Sequence, residues 1–351
     1  MQKRLKFFFL FILFLIILLG GLCYVTFHTT AVSRWLIRRL IAQNLPDYKI
    51  QSLTIKNQNV RFPREFELER LQITLNSKGG QFEFLLNRIR LDLLNNFFFT
   101  PQDLHLAVMG FNLASDQINV HSLELENAIH FNRGAVTMLK GQMKSADVDL
   151  YSFKMKNISA EITGNSKTVY FKNFISNSYD GELKGHIDLK MQPKVIFTVD
   201  MNLVGLSLKK MEKFNEAIFS NMEGNLYGTI IIIGNPQGLN SLDVDLKIDK
   251  DAKIRASMMQ FFLQNIPLPW SYSHSKEKEE LDALARVDGK VPVEDAQFGL
   301  KSFGSNKLSG LFKMSSRKVN LNLNVPIDIN TDGQWGSLLE YWQGISKKGE
   351  E

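Results

Sequence analysis

The stretch GNLYGTIIIIGNPQGLNSLDVDLKID, residues 224–249, decides the fold class. Apolar and polar residues alternate in its second half, at Leu242, Val244 and Leu246, and glycines flank the apolar run 230–233. A period of two places successive side chains on opposite faces of a strand. The stretch therefore predicts two strands, joined by the turn at 234–238, in a sheet with one apolar face and one wet face.

The same period recurs through most of the chain after residue 47. It is visible in FELERLQITL (66–75), RIRLDLL (88–94), GELKGHIDLKM (181–191) and KVNLNLNVPIDIN (318–330), with polar turns such as NSKGG between such runs. In FELERLQITL the apolar positions change parity between Leu68 and Leu71, which indicates a bulge or a strand that switches faces. Regular short strands with turn signals predict a mainly-β, antiparallel architecture.

Helical periodicity is confined to short segments. Beyond residue 47 it marks Leu208–Ile218, Ile254–Phe262 and Trp335–Trp342. Three short helices cannot cover the apolar face of about 15–20 strands. Either two sheets pack as a sandwich, or one long sheet curls and leaves an apolar trough, and a trough of that size implies a ligand or a partner.

The N-terminal segment indicates a membrane anchor. Residues 1–6 carry Lys3, Arg4 and Lys6, and residues 7–27 contain no charged side chain. About 21 apolar residues suffice to cross a bilayer as a helix. The positive-inside rule puts 1–6 in the cytoplasm and the bulk of the chain outside it. The apolar segment is too long for a cleaved signal peptide, and Leu22 before the lone Cys23 disfavours a lipoprotein.

Residues 31–45 form a predicted amphipathic helix next to the anchor. Val32, Trp35, Leu36 and Leu40 fall at helical spacing, with arginines at 34, 38 and 39 among them. Two interpretations stay open: the helix lies on the membrane surface, or it caps the end of the following sheet. Pro46 ends the helix.

Composition and motifs narrow the function classes. The formal net charge is +6, but no dense Lys/Arg tract predicts a nucleic-acid partner, and a single cysteine excludes intrachain disulfides and Cys₄ zinc sites. No HExxH, G-x-S-x-G or phosphate-binding loop occurs. Histidines 105, 121 and 186 are interpreted as polar residues on a wet face. We therefore predict no enzyme activity, no catalytic residue, no metal and no cofactor.

Three regions carry a resemblance to a known family. They are SRWLIRRLIAQNLP with the following YKIQSLTIKNQNVRFPREFELERLQITL, then FNEAIFSNMEGNLYGTIIIIGNPQGLNSLDVDLKID, and finally PVEDAQFGLKSFGSNKLSGLFKMSSRKVNLNLNVPIDI. In these regions the chain resembles the AsmA-like proteins of didermal bacteria, the group that includes the TamB and YdbH type of envelope protein. The resemblance covers most of the chain and is one of pattern, because it includes no catalytic motif. This chain is short for that group.

The resemblance implies a location and a role. It implies a single-pass protein of the bacterial inner membrane, with a periplasmic bulk that binds phospholipid in an apolar β-groove. Such a protein assists lipid transport or outer-membrane biogenesis. The resemblance leaves open whether it also has an outer-membrane or periplasmic protein partner. The alternative is a membrane-anchored β-sandwich scaffold for envelope protein assembly, without lipid cargo.

The expected architecture is an N-terminal transmembrane helix followed by an elongated, curved antiparallel sheet, a groove or half-pipe, with a few short helices. The expected divisions are a cytoplasmic tail (1–6), the anchor (7–27), the juxtamembrane helix (31–45), an N-terminal β-groove region (47–205), a C-terminal AsmA-like β region (206–333) and a C-terminal helix and tail (334–351). The groove candidates, taken from alternating apolar positions, are Leu104, Leu106, Val108, Val148, Leu150, Ile187, Leu189, Phe197, Ile230, Ile232, Val244, Leu246, Leu321 and Leu323.

Overall fold

The structure is a computed structural model. It describes residues 30–44, 48–61, 65–77, 80–93, 102–115, 118–132, 135–144, 147–150, 153–191, 194–213, 219, 222–235, 238–250, 252–255, 279, 287, 289–303, 307–317 and 321–330. The predicted tail 1–6, the anchor 7–27 and the C-terminal helix and tail 334–351 lie outside these residues. Among the residues described, no helix is long and apolar enough to cross a membrane.

Strands dominate the described chain. One α-helix, α1 (Thr30–Asn44), precedes them, and a 3₁₀ turn spans Lys210–Lys213. The strands are β1 (Lys49–Arg61), β2 (Glu65–Ser77), β3 (Gly80–Leu93), β4 (Gln102–Ala114), β5 (Ile118–Asn132), β6 (Ala135–Lys144), β7 (Asp147–Leu150), β8 (Phe153–Gly164), β9 (Thr168–Ser178), β10 (Gly181–Lys190), β11 (Ile196–Ser207), β12 (Met222–Glu223), β13 (Asn225–Asn235), β14 (Gly238–Ile248), β15 (Lys253–Arg255), β16 (Lys290–Pro292), β17 (Asp295–Phe303), β18 (Lys307–Ser316) and β19 (Leu321–Asn330).

The strands form one large antiparallel sheet and one small sheet. The large sheet has 16 strands in the order β1-β2-β3-β4-β5-β6-β8-β9-β10-β11-β13-β14-β17-β18-β19, and β7 pairs with β5 and β8. The small sheet has the order β12-β15-β16. The predicted mainly-β, antiparallel class is confirmed. Pairing of sequence neighbours dominates because short polar turns return each strand beside the previous one.

The chain divides into two compact units. Unit 1 contains Met1–Ser176 and Asp188–Val195, and unit 2 contains Asn177–Ile187 and Ile196–Glu351. The boundary predicted between 205 and 206 falls within β11, inside unit 2.

Unit 1 buries one face of its first strands almost completely, while Ile118, Met143 and Val148 farther along the sheet stay half-buried. A single apolar cluster links side chains from β1 to β8. Phe84, Leu91 and Val108 are 1–2 % exposed, and Leu75 is 1 % exposed. The opposite face carries ion pairs, among them Arg88 to Glu67 at 2.8 Å. Burial of one apolar face is the main stabilising term in this unit.

Helix α1 packs against the first strands of unit 1. Ile37 and Ile41, four residues apart, are 1 % and 2 % exposed within the same cluster. Ser33 is fully buried and its Oγ donates a hydrogen bond to Oε1 of Gln58 in β1 at 2.8 Å. Residues at i, i+4 and i+8 share one helix face, so these three side chains fix which face of α1 meets the sheet.

A four-residue pattern, here called the parity shift, recurs in six strands. An inward residue is followed by an exposed residue, a residue with positive φ and a second inward residue. The positive-φ residues are Arg70 (50°), Gly110 (62°), Ser122 (56°), Asn157 (51°), Asn173 (51°) and Gly205 (68°).

The parity shift explains the predicted change at Leu68 and Leu71. In regular β-structure residues three apart point to opposite faces. Leu68 and Leu71 are nevertheless 1 % and 2 % exposed on the same face, because the backbone turns at Arg70 between them. Irregularities of this kind bend a strand and increase its twist. The predicted irregularity in β2 is confirmed.

Only the first residues of two short helices predicted after residue 205 lie among the described residues. The segment from Leu208 forms only the 3₁₀ turn Lys210–Lys213 among its described residues. Ile254 lies in β15, so the helix predicted to begin there is wrong at its first residue. Pairing with Met222 of β12 and Val291 of β16 gives this position a sheet environment that the local periodicity does not show. The helix predicted at Trp335–Trp342 lies outside the described residues.

Candidate functional site

The apolar face of unit 2 is built from cross-strand rows. One row runs through Met201 of β11, Ile230 of β13, Val244 of β14 and Leu300 of β17, each directly opposite the next. Side chains directly opposite each other in antiparallel strands share a face and contact one another. Two neighbouring rows contain Val199, Ile232 and Leu242, and then Leu246, Phe298 and Phe312.

This face is only partly covered. Val244 and Leu300 are 8 % and 7 % exposed. Ile230, Leu242, Leu246, Phe298 and Phe312 pack against them but stay half-buried. Inner side chains of β2 to β4 in unit 1, such as Phe84 at 1 %, are almost fully buried, whereas several of those of β5 to β7, such as Met143, are half-buried too. The apolar face of unit 2 thus retains surface that β2 to β4 of unit 1 have removed from water.

The opposite face of these strands is largely polar, although Ile231 and Ile233 of β13 also lie on it and are half-buried. Lys301 Nζ lies 2.7 Å from Oδ2 of Asp243, its cross-strand neighbour. Gln297 donates a hydrogen bond from Nε2 to Oδ1 of Asp245 at 2.9 Å. The exposed Lys301–Asp243 ion pair contributes little to stability, about 0–1 kcal/mol. These contacts identify the solvent-exposed face of the strands.

Gly228 leaves no room for a side chain between β13 and β14. Gly228 of β13 has φ +147°, and a Cβ there would lie 2.0 Å from the carbonyl oxygen of Asp245 in β14. Gly234 lies at a register shift in the same strand. Both lie within β13, so the turn predicted at 234–238 begins later than Gly234, and a glycine inside a strand often marks a bulge or bend.

The fourteen predicted groove residues occupy different environments. Leu104, Leu106 and Val108 lie in the packed core of unit 1 at 1–3 % exposure, and Leu189 is 4 % exposed. Val148 is half-buried against that core, and Leu150 is 38 % exposed.

The remaining candidates lie in unit 2. Phe197 and Val244 are 9 % and 8 % exposed. Ile187, Ile230, Ile232 and Leu246 are half-buried. Leu321 and Leu323 belong to β19, opposite Ser316 and Met314 of β18, and their side chains are outside the description. The structure therefore brings Ile230, Ile232, Val244 and Leu246 together on one face.

Sequence reasoning missed several members of this face. Met201, Leu242, Phe298 and Phe312 alternate within strands that the sequence predicts, so the signal was present. The sequence does not show that β14 pairs with β17, because β15 and β16 of the small sheet lie between these strands in the chain. That pairing places Leu246 opposite Phe298.

Two of the described histidines, His105 and His130, lie beside carboxylates, and His186 is half-buried. His105 Nε2 lies 3.3 Å from Glu126 Oε1 and its Nδ1 lies 3.8 Å from Asp92 Oδ2, while His130 pairs with Asp103. His121 is exposed. Within the residues that the structure describes, no group of three or more His, Cys, Asp or Glu side chains could hold a metal ion.

Two carboxyl groups, those of Glu69 and Glu223, have a lowered pKa and lie outside the apolar rows of unit 2. The pKa of the Glu69 carboxyl in unit 1 is lowered, mainly by a hydrogen bond from Asn57 and then by one from Arg88. The pKa of Glu223 is lowered mainly by a hydrogen bond from Lys290, which joins β12 to β16. Each of these pairs links two strands, is exposed to solvent, and contributes little to stability.

Comparison with protein-family models, with curated proteins and with solved structures gives no match. The resemblance to the AsmA-like family therefore stays a prediction.

Proposed function

We propose that the chain is a membrane-anchored protein that binds phospholipid acyl chains on the apolar face of unit 2. The supporting observation is the set of half-buried rows through Ile230, Leu246 and Phe298. A contiguous apolar surface that a protein leaves partly open is typical of a binding site for an apolar ligand or partner. In this proposal the strands curve so that the face forms a groove, for which the close strand approach at Gly228 provides local support.

The mechanism is passive. Acyl chains lie along the apolar rows, and the head groups stay in water. Burial of apolar surface contributes about 25 cal/mol per Å², or about 0.8 kcal/mol per methylene group, so an acyl chain is held without specific polar contacts. The side chains of the rows carry no catalytic group, so the proposed role is non-enzymatic.

The proposed location combines the apolar segment 7–27 with what the resemblance to the AsmA-like family implies. Residues 7–27 anchor the chain in the inner membrane of a didermal bacterium, with 1–6 in the cytoplasm and the sheets in the periplasm. There the protein assists lipid transport or outer-membrane biogenesis, alone or with an outer-membrane or periplasmic partner.

A second candidate rests on unit 1. Its inner face is packed to 1–3 % exposure at Leu91, Leu106 and Val108, which is the dry interior expected of a scaffold. In that case the chain is a membrane-anchored platform for envelope protein assembly without lipid cargo.

Native mass spectrometry of the full chain after mild extraction separates the two. The first variant is Ile232→Gln/Leu246→Gln on the apolar face. The matched control is Thr229→Gln/Lys247→Gln, exposed positions of the same strands. The lipid-binding proposal expects several-fold less co-purified phospholipid in the first variant only. Stable wild-type protein with no more lipid than either variant would favour the scaffold.

A further inference from the structure

We propose that the outer face of α1 docks on the head-group layer of an anionic bilayer while its inner face stays packed on unit 1. The proposal rests on the anchor in the proposed function. It goes beyond that function by giving α1 two simultaneous contacts, one with the sheet and one with lipid phosphates.

The inner contact fixes how α1 is rotated. Ser33, Ile37 and Ile41 all face unit 1, and Ser33 is hydrogen-bonded to Gln58 of β1. A helix held along three turns cannot roll to bury its other side. The residues on that other side are therefore presented outward as a fixed set.

The outer face combines an exposed indole with exposed guanidinium groups. Trp35 is 55 % exposed. Arg34, Arg38 and Arg39 are exposed, and the Arg39 guanidinium carbon lies 5.3 Å from the centre of the Trp35 ring. At i, i+3 and i+4, Trp35 is flanked by Arg38 and Arg39 on one face.

This chemistry fits a lipid interface. Arginine binds phosphate oxygens in a bidentate manner, and tryptophan concentrates where hydrocarbon meets head groups. The sequence of α1, TAVSRWLIRRLIAQN, contains no acidic residue that would neutralise the arginines or repel an anionic surface.

The short separation between segment 7–27 and the start of α1 favours a bilayer over a soluble anionic partner. The uncharged segment 7–27 ends three residues before Thr30, where α1 begins. Three residues span at most about 11 Å when fully extended. If 7–27 crosses the membrane, the first turn of α1 is therefore within reach of the head groups.

The test uses the full chain in nanodiscs with Trp35 as the only tryptophan, in a Trp270→Phe/Trp335→Phe/Trp342→Phe background. Discs of pure phosphatidylcholine are compared with discs that contain phosphatidylglycerol, each with and without lipids brominated near the head-group end of the acyl chain. We expect a blue-shifted Trp35 emission and at least twofold stronger quenching in the anionic discs.

Two variants distinguish loss of the arginine charges of α1 from loss of the same charge elsewhere in the chain. Arg34→Gln/Arg38→Gln/Arg39→Gln leaves the inner face intact and should abolish the difference between anionic and neutral discs. The control Lys140→Gln/Lys156→Gln/Lys190→Gln removes the same charge from exposed strand positions and should keep the difference. Trp35 emission that is water-like and unquenched in both discs, or quenched equally in both, overturns the proposal.

The outcome is separable from that of the lipid-binding proposal. Phospholipid bound at the apolar face of unit 2 is measured independently by native mass spectrometry. The arginine variant should retain it, and loss of Trp35 quenching with lipid still bound refutes only the docking of α1.

Discussion

Leu246 of β14 lies directly opposite Phe298 of β17, and both side chains are half-buried on the apolar face of unit 2. The small sheet β12-β15-β16 draws its second and third strands from the chain between these two residues. The pair shows how a long-range strand pairing completes a surface that no single segment contains. Both side chains of the pair retain apolar area that a bound ligand would remove from water.

The two units should respond differently to loss of a large apolar side chain. Phe84→Ala removes a ring that is 1 % exposed, and we expect a loss of about 3–5 kcal/mol in the free energy of unfolding of unit 1. Phe298→Ala removes a half-buried ring, and we expect about 1–2 kcal/mol in unit 2. Hydrogen exchange of peptides from β3 and β17 in increasing denaturant measures each unit separately. Equal losses would contradict the difference in burial.

The left-handed backbone at Arg70 should prefer glycine. Arg70 has φ +50°, a conformation that costs an ordinary residue about 1 kcal/mol or more. Arg70→Gly should therefore stabilise unit 1 by about 1 kcal/mol. The control Gln72→Gly, at an exposed position of the same strand without positive φ, should destabilise it by about 0.5–1 kcal/mol. Chemical denaturation reports both, and the same sign for the two variants would refute the strain at Arg70.

The close strand approach at Gly228 should exclude a methyl group. A Cβ there would lie 2.0 Å from the Asp245 carbonyl oxygen and φ is +147°, so Gly228→Ala should cost about 1–3 kcal/mol by overpacking and backbone strain together. Gly299 of β17 is the matched control, because a Cβ at that position has its nearest neighbours at 3.9 Å. Gly299→Ala should be tolerated. Thermal unfolding of the two variants tests this, and a normal midpoint for Gly228→Ala would show that β13 and β14 are not this close.

The stability of the small sheet should depend on pH through Glu223. The hydrogen bond from Lys290, with the charges of Lys290 and Lys253, holds the pKa of Glu223 below its ordinary value of 4.5. A lowered carboxyl pKa stabilises the fold above the ordinary value, and this contribution is lost as pH falls through the lowered one.

Glu223→Gln should therefore lose less stability than wild type between pH 7 and pH 3. Hydrogen exchange of β16 peptides measures the change, and high salt should weaken it because the pair is exposed. Glu161→Gln, an exposed position on β8, is the control and should behave as wild type does. Identical pH profiles for Glu223→Gln and wild type would contradict the role of this pair.

Much of the strand content follows from the sequence, and particular residues show why. Alternation at Leu242, Val244 and Leu246 predicts β14, and the parity change between Leu68 and Leu71 predicts the irregularity at Arg70. Both signals are local, since the two-residue period and its interruption are properties of one strand.

The degree of burial does not follow from the same pattern. Leu106 and Leu246 occupy similar alternating positions, yet Leu106 is 3 % exposed and Leu246 is half-buried. The difference depends on which residues distant in sequence cover each face. The strand at Ile254 was missed for a related reason, because its partners Met222 and Val291 come from distant segments.

The most direct test of the central claim is site-specific photo-crosslinking in cells. Benzoylphenylalanine replaces Leu246 on the apolar face in one strain and Lys247, the next residue on the opposite face, in the other. Cross-linked adducts of the purified full chain are then identified by mass spectrometry. The account predicts a phospholipid adduct at 246 and none at 247. No lipid adduct at 246, or equal adducts at both positions in folded protein, would contradict lipid binding on this face.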